Sequence, residues 1–125
     1  MQYFGGGFNH IYPKENIKLV KEIIDSGGAV ITEYEENVKP MPENFPKRNR
    51  IISGISDGVV VVEAEKRSGS LITADFALDQ GKEVFAVPGN INSKTSKGTN
   101  ELIKQGAKLV DNVFDILEEY KYNNW

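Results

Sequence analysis

The chain has 125 residues, 39% of them hydrophobic and 26% charged, values that are ordinary for one globular domain with its own core. No apolar run approaches the ~20 residues needed to cross a bilayer, no signal peptide opens the chain, and the absence of cysteine excludes disulfides and thiolate zinc sites, so we expect a cytoplasmic protein without a membrane partner. The formal net charge of −3 means that any binding of nucleic acid must come from a local basic patch rather than from overall attraction.

The first half of the chain predicts two strands and two helices. Apolar residues at helical spacing follow Pro13, and glycines after residue 25 stop that helix. A β-branched run then indicates a strand. The predicted elements are a strand at residues 2–4, a turn at 5–7, a helix at 14–25, a strand at 29–34, an exposed loop at 35–44 and a helix from about residue 46 to residue 55.

The second half continues the alternation of strand and helix. Residues 58–63 form a nearly continuous apolar run, which is typical of a strand covered on both faces. Gly81 is expected to end the next helix. The predicted elements are a strand at residues 58–63, a helix at 70–80, a strand at 83–87, a polar loop at 90–98, a short helix at 99–105, a strand at 108–110 and a helix at 112–120.

Strict alternation of this kind predicts the α/β class with a mainly parallel sheet. The first strand is short and no helix precedes it. We therefore expect either part of a larger Rossmann-like domain or a sheet whose edge a partner chain completes.

The first candidate site is the segment 45–50, where Lys47, Arg48 and Arg50 place three cations within four residues at a helix start. Arginine pairs with phosphate oxygens through two parallel hydrogen bonds, and lysine supplies a mobile charge. Phe45 is a candidate for stacking on a base, with Asn49 nearby. The alternative is a solvated first turn in which Phe45 packs on the helix that follows.

The second candidate is the segment 66–73, which contains a glycine turn between a predicted strand and a predicted helix. Lys66 and Arg67 supply charge, Ser68 and Ser70 supply hydroxyls, and Gly69 permits close approach of a ligand to the backbone. Such a junction favours phosphate, although the spacing matches neither the Walker A nor the dinucleotide-binding motif. The alternative is that one of the serines only caps the helix.

Two weaker candidates lie in loops at predicted strand ends. One combines residues 88–90 with residues 98–100, for which a turn and a helix cap are sufficient explanations. The other is the glycine turn that contains Gly7 and Asn9. The lone His10 has no evident metal partners, and no acid/base pair or nucleophile arrangement stands out, so the sequence indicates a binding site rather than an active site.

Six motifs occur in an order that resembles the DNA processing protein A (DprA/Smf) family. They cover nearly the whole chain, and two of them, FPKRNRII and SGSLIT, are long and specific. The motifs are YPKEN at 12–16, FPKRNRIISG at 45–54, EA at 63–64, SGSLIT at 68–73, FAVPG at 85–89 and GTNELI at 98–103.

The resemblance implies a Rossmann-like three-layer αβα domain, here in truncated form and spanning residues 1–125. It implies binding of single-stranded DNA in natural transformation, help in loading the RecA recombinase, a homodimer, and neither catalysis nor a cofactor. The residues that it assigns to the DNA and phosphate site are Gly7, Asn9, Phe45, Lys47, Arg48, Asn49, Arg50, Lys66, Arg67, Ser68, Gly69 and Ser70.

The chain departs from the family pattern because the first half of the Rossmann domain, with a glycine-serine-arginine loop, and a C-terminal winged-helix-like domain are both missing from the sequence. The sequence is therefore interpreted as a fragment, a truncated gene product or a degenerate paralogue.

Two alternative functions also stay open. One is a nucleotide-binding Rossmann enzyme of the phosphoribohydrolase type, against which residues 90–97 count because they separate Pro88-Gly89 from Gly98-Thr99. The other is an inactive remnant that binds neither oligonucleotide nor nucleotide.

Overall fold

The computed structural model describes residues 2–11 and 13–120 of the chain. They belong to two compact units, unit 1 over Met1–Ile52 and unit 2 over Ser53–Trp125. Both units are α/β with parallel strands, which confirms the predicted fold class. Within the described ranges, no helix has the length and apolar character required to span a membrane.

Unit 1 is built on a pair of short parallel strands. Strand β1 (Gln2–Phe4) pairs with β2 (Val30–Thr32), which is shorter than the predicted strand at 29–34. One 3-10 turn (Lys14–Asn16) and helix α1 (Ile17–Asp25) connect them, as the sequence predicts. The helix is terminated two residues after its end by Gly27, whose φ of +89° is a left-handed conformation that suits glycine.

Helix α2 (Asn44–Gly54) follows in the chain, and its last two residues fall in unit 2. It begins two residues before the predicted start at Pro46. The preceding turn explains the earlier start, because the Asn44 N–H donates to the Met41 carbonyl at 2.9 Å and so brings the chain into helical geometry. Pro46 is tolerated because a helix's first turn needs no backbone donor.

Unit 2 is a three-stranded parallel sheet in the order β3 (Gly58–Val61), β4 (Glu83–Ala86) and β5 (Lys108–Leu109). Helix α3 (Gly69–Asp79) connects the first two strands, and helix α4 (Lys94–Lys104) connects the last two. Helix α5 (Val113–Tyr120) follows the sheet. Gly81, with a φ of +72°, follows α3 as predicted.

The alternation of side chains along β4 gives unit 2 its three layers. Val84 and Ala86 join the buried cluster with Ala74 and Ala77 of α3 and Leu102 of α4. The intervening Phe85 points to the other face. There its ring lies 6.3 Å from the ring of Tyr120 in α5. Helices therefore cover both faces of β4.

The prediction that the strand at 58–63 is covered on both faces is wrong for part of that strand. Val60 is 39% exposed and Val62, which lies beyond the end of β3, is 63% exposed. Only Val61 of this run is fully buried. The prediction fails here because an apolar run does not indicate which of its two faces is covered by a neighbouring element.

The predicted loop at 90–98 is also wrong in its second part, since α4 begins at Lys94. Polar residues and a glycine lower helix propensity there, but packing overrides it. The Gly98 N–H donates to the Ala64 carbonyl at 2.8 Å. A Cβ at Gly98 would lie 2.5 Å from that oxygen, so the close contact between helix and chain requires glycine.

Candidate functional site

A buried glycine turn follows β1 in unit 1. All three of Gly5, Gly6 and Gly7 are buried, and each touches a neighbouring segment. A Cβ on Gly7 would lie 1.9 Å from the Glu35 carbonyl oxygen. A Cβ on Gly5 would lie 3.3 Å from the Phe45 ring, so the turn packs directly on the start of α2.

Side chains from two other segments hold the carbonyls of this turn. The Asn44 side-chain amide donates to the Gly5 carbonyl at 2.9 Å, and the Thr32 hydroxyl donates to the Gly6 carbonyl at 2.7 Å. Asn44 is itself buried, so its bond to the turn is shielded from water. The turn, the end of β2 and the start of α2 are therefore fixed together.

Asn9 lies just beyond this turn and is held by the loop at 35–38. Its backbone N–H donates to the Glu36 carbonyl at 2.9 Å, and its side-chain amide donates to the Asn37 side-chain oxygen at the same distance. Asn9 remains exposed. It is available to a ligand from a fixed position.

The first turns of α2 place an arginine over an aromatic ring. The guanidinium carbon of Arg48 lies 5.4 Å from the centre of the Phe45 ring, within the range of a cation–π contact. The Nε atom of Arg48 is buried and has no hydrogen-bond partner within the described part of the chain. Phe45 thus acts as a platform that orients Arg48, and the ring face under the guanidinium is not open to a base.

The three cations of the segment 45–50 have different surroundings. Lys47 is exposed, whereas Arg50 forms an ion pair with Glu33 at the end of β2. The pKa of the neighbouring Tyr34 phenol is raised, mainly by burial and next by the negative charge of Glu33. Asn49 is only 8% exposed, so it suits a positioning role within α2 better than contact with a base.

The second candidate segment lies in unit 2, at the start of α3. Ser68 occupies the N-cap position with extended backbone, but its side chain makes no capping hydrogen bond. Its hydroxyl oxygen is buried and, among the residues that the structure describes, has no partner. Ser68 therefore occupies the N-cap position that the sequence allows, but without the side-chain hydrogen bond of a serine cap.

The remaining residues of this segment face solvent. Lys66, Arg67, Gly69 and Ser70 are all exposed. Arg67 has a φ of 63°, a left-handed conformation that is uncommon outside glycine. The turn therefore presents two basic side chains at the start of an 11-residue helix, where the helix dipole favours an anion.

The segments 88–90 and 98–100 are brought together in unit 2, and their contacts are structural. The Asn100 side chain makes two hydrogen bonds with Gly89, accepting from its N–H at 3.2 Å and donating to its carbonyl at 3.0 Å. Thr99 is only 1% exposed. These residues therefore form a turn that is hydrogen-bonded to a helix, in line with the structural alternative given in the sequence analysis.

Metal and histidine chemistry find no support within residues 2–11 and 13–120. No group of three or more His, Cys, Asp or Glu side chains that could hold a metal ion occurs there. His10 is half-buried, and its backbone N–H donates to the Gly7 carbonyl at 3.0 Å. Tyr12, the first residue of the YPKEN motif, lies outside the described residues.

Two residues of the unit 1 site were not identified from the sequence. Asn44 closes the hydrogen bond to the glycine turn, and Glu33 takes up the charge of Arg50. A local sequence pattern cannot predict either pairing, because Asn44 lies 39 residues from Gly5 and Glu33 lies 17 residues from Arg50. The only local signal is for Asn44, a polar residue directly before the aromatic-proline corner.

Comparison with known proteins gives a consistent result. A family model described as DNA recombination-mediator protein A matches residues 1–121. The chain is similar to Protein Smf of Escherichia coli (strain K12), with 51% identity over 118 residues, which are 94% of this chain and 32% of that protein.

Two solved structures share the fold. DNA processing protein A (DprA) from Streptococcus pneumoniae matches with a TM-score of 0.82 and 45% identity over 92% of this chain and 40% of its own. DNA processing protein A from Helicobacter pylori, whose structure concerns its single-stranded DNA binding mode, matches with a TM-score of 0.82 and 31% identity over 97% of this chain and 55% of its own. The chain thus spans between a third and just over half of the length of these proteins.

Proposed function

Because this chain belongs to the DNA recombination-mediator protein A family, we propose that it binds single-stranded DNA as part of a DNA-processing protein of the natural transformation type. The observation that carries the proposal is the Arg48 guanidinium, held over Phe45 with a buried Nε, unpartnered within residues 2–11 and 13–120, beside the fixed glycine turn. A guanidinium that an aromatic ring holds in one orientation is suited to pairing with a phosphate oxygen.

The residues of unit 1 have distinct roles in this proposal. Arg48 binds phosphate directly, and exposed Lys47 adds a mobile charge beside it. Phe45 positions Arg48, and Asn44 positions the glycine turn. Gly7 and Asn9 belong to the loop that the proposal assigns to contact with the DNA. Arg50 is partly neutralised by Glu33, so its contribution is smaller.

In unit 2, the proposal assigns phosphate binding to the start of α3. Lys66 and Arg67 supply charge, and Ser68, Gly69 and Ser70 form the turn. The buried Ser68 hydroxyl without a described partner supports this, because an orphaned polar atom at a helix start needs a partner to offset its lost hydration.

Several finer parts of the proposal rest on family membership alone. These are help in loading the RecA recombinase, a homodimer, a cytoplasmic location, and the grouping of residues 1–125 in one larger Rossmann-like domain. Binding is assigned without a catalytic step or a cofactor. The family match favours this function over a phosphoribohydrolase and over an inactive remnant.

The test is a binding measurement by fluorescence anisotropy with a labelled oligothymidylate. We expect the charge reversals Lys47→Glu and Arg48→Glu together to weaken binding by on the order of tenfold and to reduce the slope of log affinity against log salt by about 1.4, since each phosphate contact on a single strand contributes about 0.7.

The matched control is Lys18→Glu with Lys21→Glu, two exposed lysines on α1 that give the same change in net charge. Circular dichroism establishes that each variant is folded. If the α2 variant binds as tightly as the control, the assignment of phosphate to Arg48 is wrong.

A further inference from the structure

An aromatic residue occupies the corner of the turn that follows β1. The His10 backbone N–H donates to the Gly7 carbonyl at 3.0 Å, so these four residues form a turn in which Phe8 is the first corner residue. Phe8 is 44% exposed, although the three glycines immediately before it are buried. The chain therefore passes from a packed interior to an exposed aromatic residue within one step.

Hydrogen bonds to the loop after β2 hold this turn on both sides of Phe8. The Gly7 N–H donates to the Val38 carbonyl at 2.9 Å. The Asn9 N–H donates to the Glu36 carbonyl at the same distance. An aromatic side chain on an anchored backbone loses little conformational freedom when a ligand covers it. The turn therefore presents Phe8 as a platform that is formed before a ligand arrives.

The turn lies at the carboxyl edge of the unit 1 sheet. Strands β1 and β2 are parallel, so the segments that follow them leave the sheet at the same edge, where open α/β sheets bind ligands. Gly5 packs on the Phe45 ring, and this ring supports Arg48. The three residues from Gly5 to Phe8 span at most ~11 Å. A bound strand of a few nucleotides therefore reaches both Arg48 and Phe8.

The charges beside Phe8 suit a base better than a phosphate. Glu35 and Glu36 are exposed in the facing loop, and the exposed Lys39 follows them, so this loop has a net negative charge. Like charges repel a phosphate, whereas an uncharged base meets no such repulsion. The cations at the start of α2 are therefore the place for phosphate, and the turn is the place for a base.

We propose that Phe8 stacks on one base of a single strand whose phosphate is bound by Lys47 and Arg48. The inference rests on the proposed function for the strand, and it adds a residue to which that function assigns no role. A single exposed apolar residue is common on protein surfaces. Phe8 differs because its turn is anchored, lies at the ligand edge of the sheet and faces a negative loop. Stacking requires a base that has left the duplex, so Phe8 favours a single strand over a double strand.

The experiment compares two labelled probes of equal length by fluorescence anisotropy, oligothymidylate and an abasic strand with the same number of phosphates. We expect Phe8→Ala to weaken oligothymidylate binding by about tenfold, within the range for the loss of one stacked base. The affinity for the abasic strand and the salt slopes of both probes should stay unchanged, because no phosphate contact is lost. Ile24→Ala on α1 is the matched control, since Ile24 is 55% exposed.

Two further variants separate the aromatic ring from its apolar area. We expect Phe8→Trp to bind oligothymidylate as the parent does, and Phe8→Leu to bind it as weakly as Phe8→Ala. In a Trp125→Phe background, Phe8→Trp supplies the only tryptophan of the chain. Its fluorescence should be quenched by oligothymidylate and not by the abasic strand. Circular dichroism establishes that each variant is folded.

Three results overturn the inference. One is equal affinity of Phe8→Ala and Ile24→Ala for oligothymidylate. Another is Phe8→Leu binding as tightly as the parent, which would leave the ring without a role. The third is an equal loss of affinity for both probes in Phe8→Ala, which would show that the residue acts through the shape of the turn.

The inference and the proposed function fail in different ways. If the α2 reversals leave both probes bound as before while Phe8→Ala weakens oligothymidylate alone, stacking is supported and the phosphate assignment fails. If the α2 reversals weaken both probes while Phe8→Ala matches its control, the phosphate assignment is supported and stacking fails. If the parent chain binds neither probe, both fail.

Discussion

Gly7 is the residue at which the unit 1 site has least tolerance for change. A Cβ at this position would lie 1.9 Å from the Glu35 oxygen and 2.5 Å from the Glu36 carbonyl carbon, both of them backbone atoms. Backbone cannot move aside as the end of a long side chain does. The shape of the glycine turn after β1 therefore depends on the absence of one methyl group.

We expect Gly7→Ala to lower the free energy of unfolding by about 3 kcal/mol, the upper part of the range for overpacking. Urea denaturation followed by circular dichroism measures the change. Gly69→Ala is the matched control, because a Cβ there meets nothing within 4 Å and we expect a change close to zero. A Gly7→Ala variant as stable as this control would show that the loop at 35–38 yields easily.

Glu33 is the second residue on which a prediction can be made, because its carboxylate pairs with Arg50, one of the cations of the proposed DNA site. Replacement by glutamine keeps the shape and removes the negative charge. We expect Glu33→Gln to bind oligothymidylate more tightly by a factor of roughly 1.4 to 5, which corresponds to the 0.2–1 kcal/mol typical of an exposed ion pair. Anisotropy titration at low salt measures it, with Glu22→Gln on exposed α1 as the control for net charge. Equal or weaker binding than the control would remove Arg50 from the site.

Among the elements, α5 has the most complete start. The Asn112 side-chain oxygen accepts from the N–H groups of Phe114 at 2.9 Å and Asp115 at 3.2 Å. The Asp115 carboxylate accepts in return from the N–H groups of Asp111 at 3.0 Å and Asn112 at 3.4 Å. This reciprocal arrangement is a capping box, and it fixes the first turn of the helix that covers Phe85.

The capping box makes a pH-dependent contribution to stability. The hydrogen bond from the Asp111 backbone holds the pKa of the Asp115 carboxyl below its usual range. A depressed pKa in the folded state stabilises the fold above the unfolded pKa of about 3.9, and this contribution is lost as pH falls through the lower folded value. We therefore expect Asp115→Asn to be less stable than the parent near neutral pH and to approach the parent's stability as the pH falls below the unfolded pKa and through the lower folded pKa of Asp115.

Urea denaturation of both proteins at several pH values measures this difference. Asp75→Asn, an exposed position on α3 with one carboxylate fewer, is the control. A difference between parent and Asp115→Asn that stays constant with pH would show that the side chain acts through shape and not through charge.

The success of the sequence prediction differs between elements for physical reasons. Strand β4 and helix α3 were located to within a residue or two because their apolar positions and the glycine after α3 are local signals. The start of α4 was missed because its stability comes from contact with Ala64, which is remote in the chain. The site was predicted in the same uneven way: the cations stand next to one another in the sequence, whereas Asn44 and Glu33 act over long separations.

At the scale of the whole molecule, burial is unequally distributed between the two units. Among residues 5–11 and 13–120, ten hydrophobic side chains are buried; Val20 is in unit 1 and the other nine are in unit 2. Because burial of apolar area is the main source of stability, unit 2 has the larger share of it. The glycine turn and the start of α2 belong to the unit with the smaller share.

We expect this inequality to appear in native-state hydrogen exchange. Amides of β4, where Val84, Phe85 and Ala86 are all buried, should exchange most slowly, and amides of β2 should exchange through openings of lower free energy. NMR after transfer to deuterated buffer measures the rates. Equal protection of β2 and β4 would show that the chain opens only as a whole.

Arg67 combines an unfavourable backbone conformation with a charged side chain at the start of α3. Its left-handed backbone, at a φ of 63°, costs an L-residue about 1–2 kcal/mol, a cost that glycine does not carry. Glycine at this position would thus make the chain more heat-tolerant and would remove a guanidinium from the start of α3. Lineages under thermal pressure should drift toward glycine at position 67, and lineages that depend on tight nucleic-acid binding should keep a basic residue.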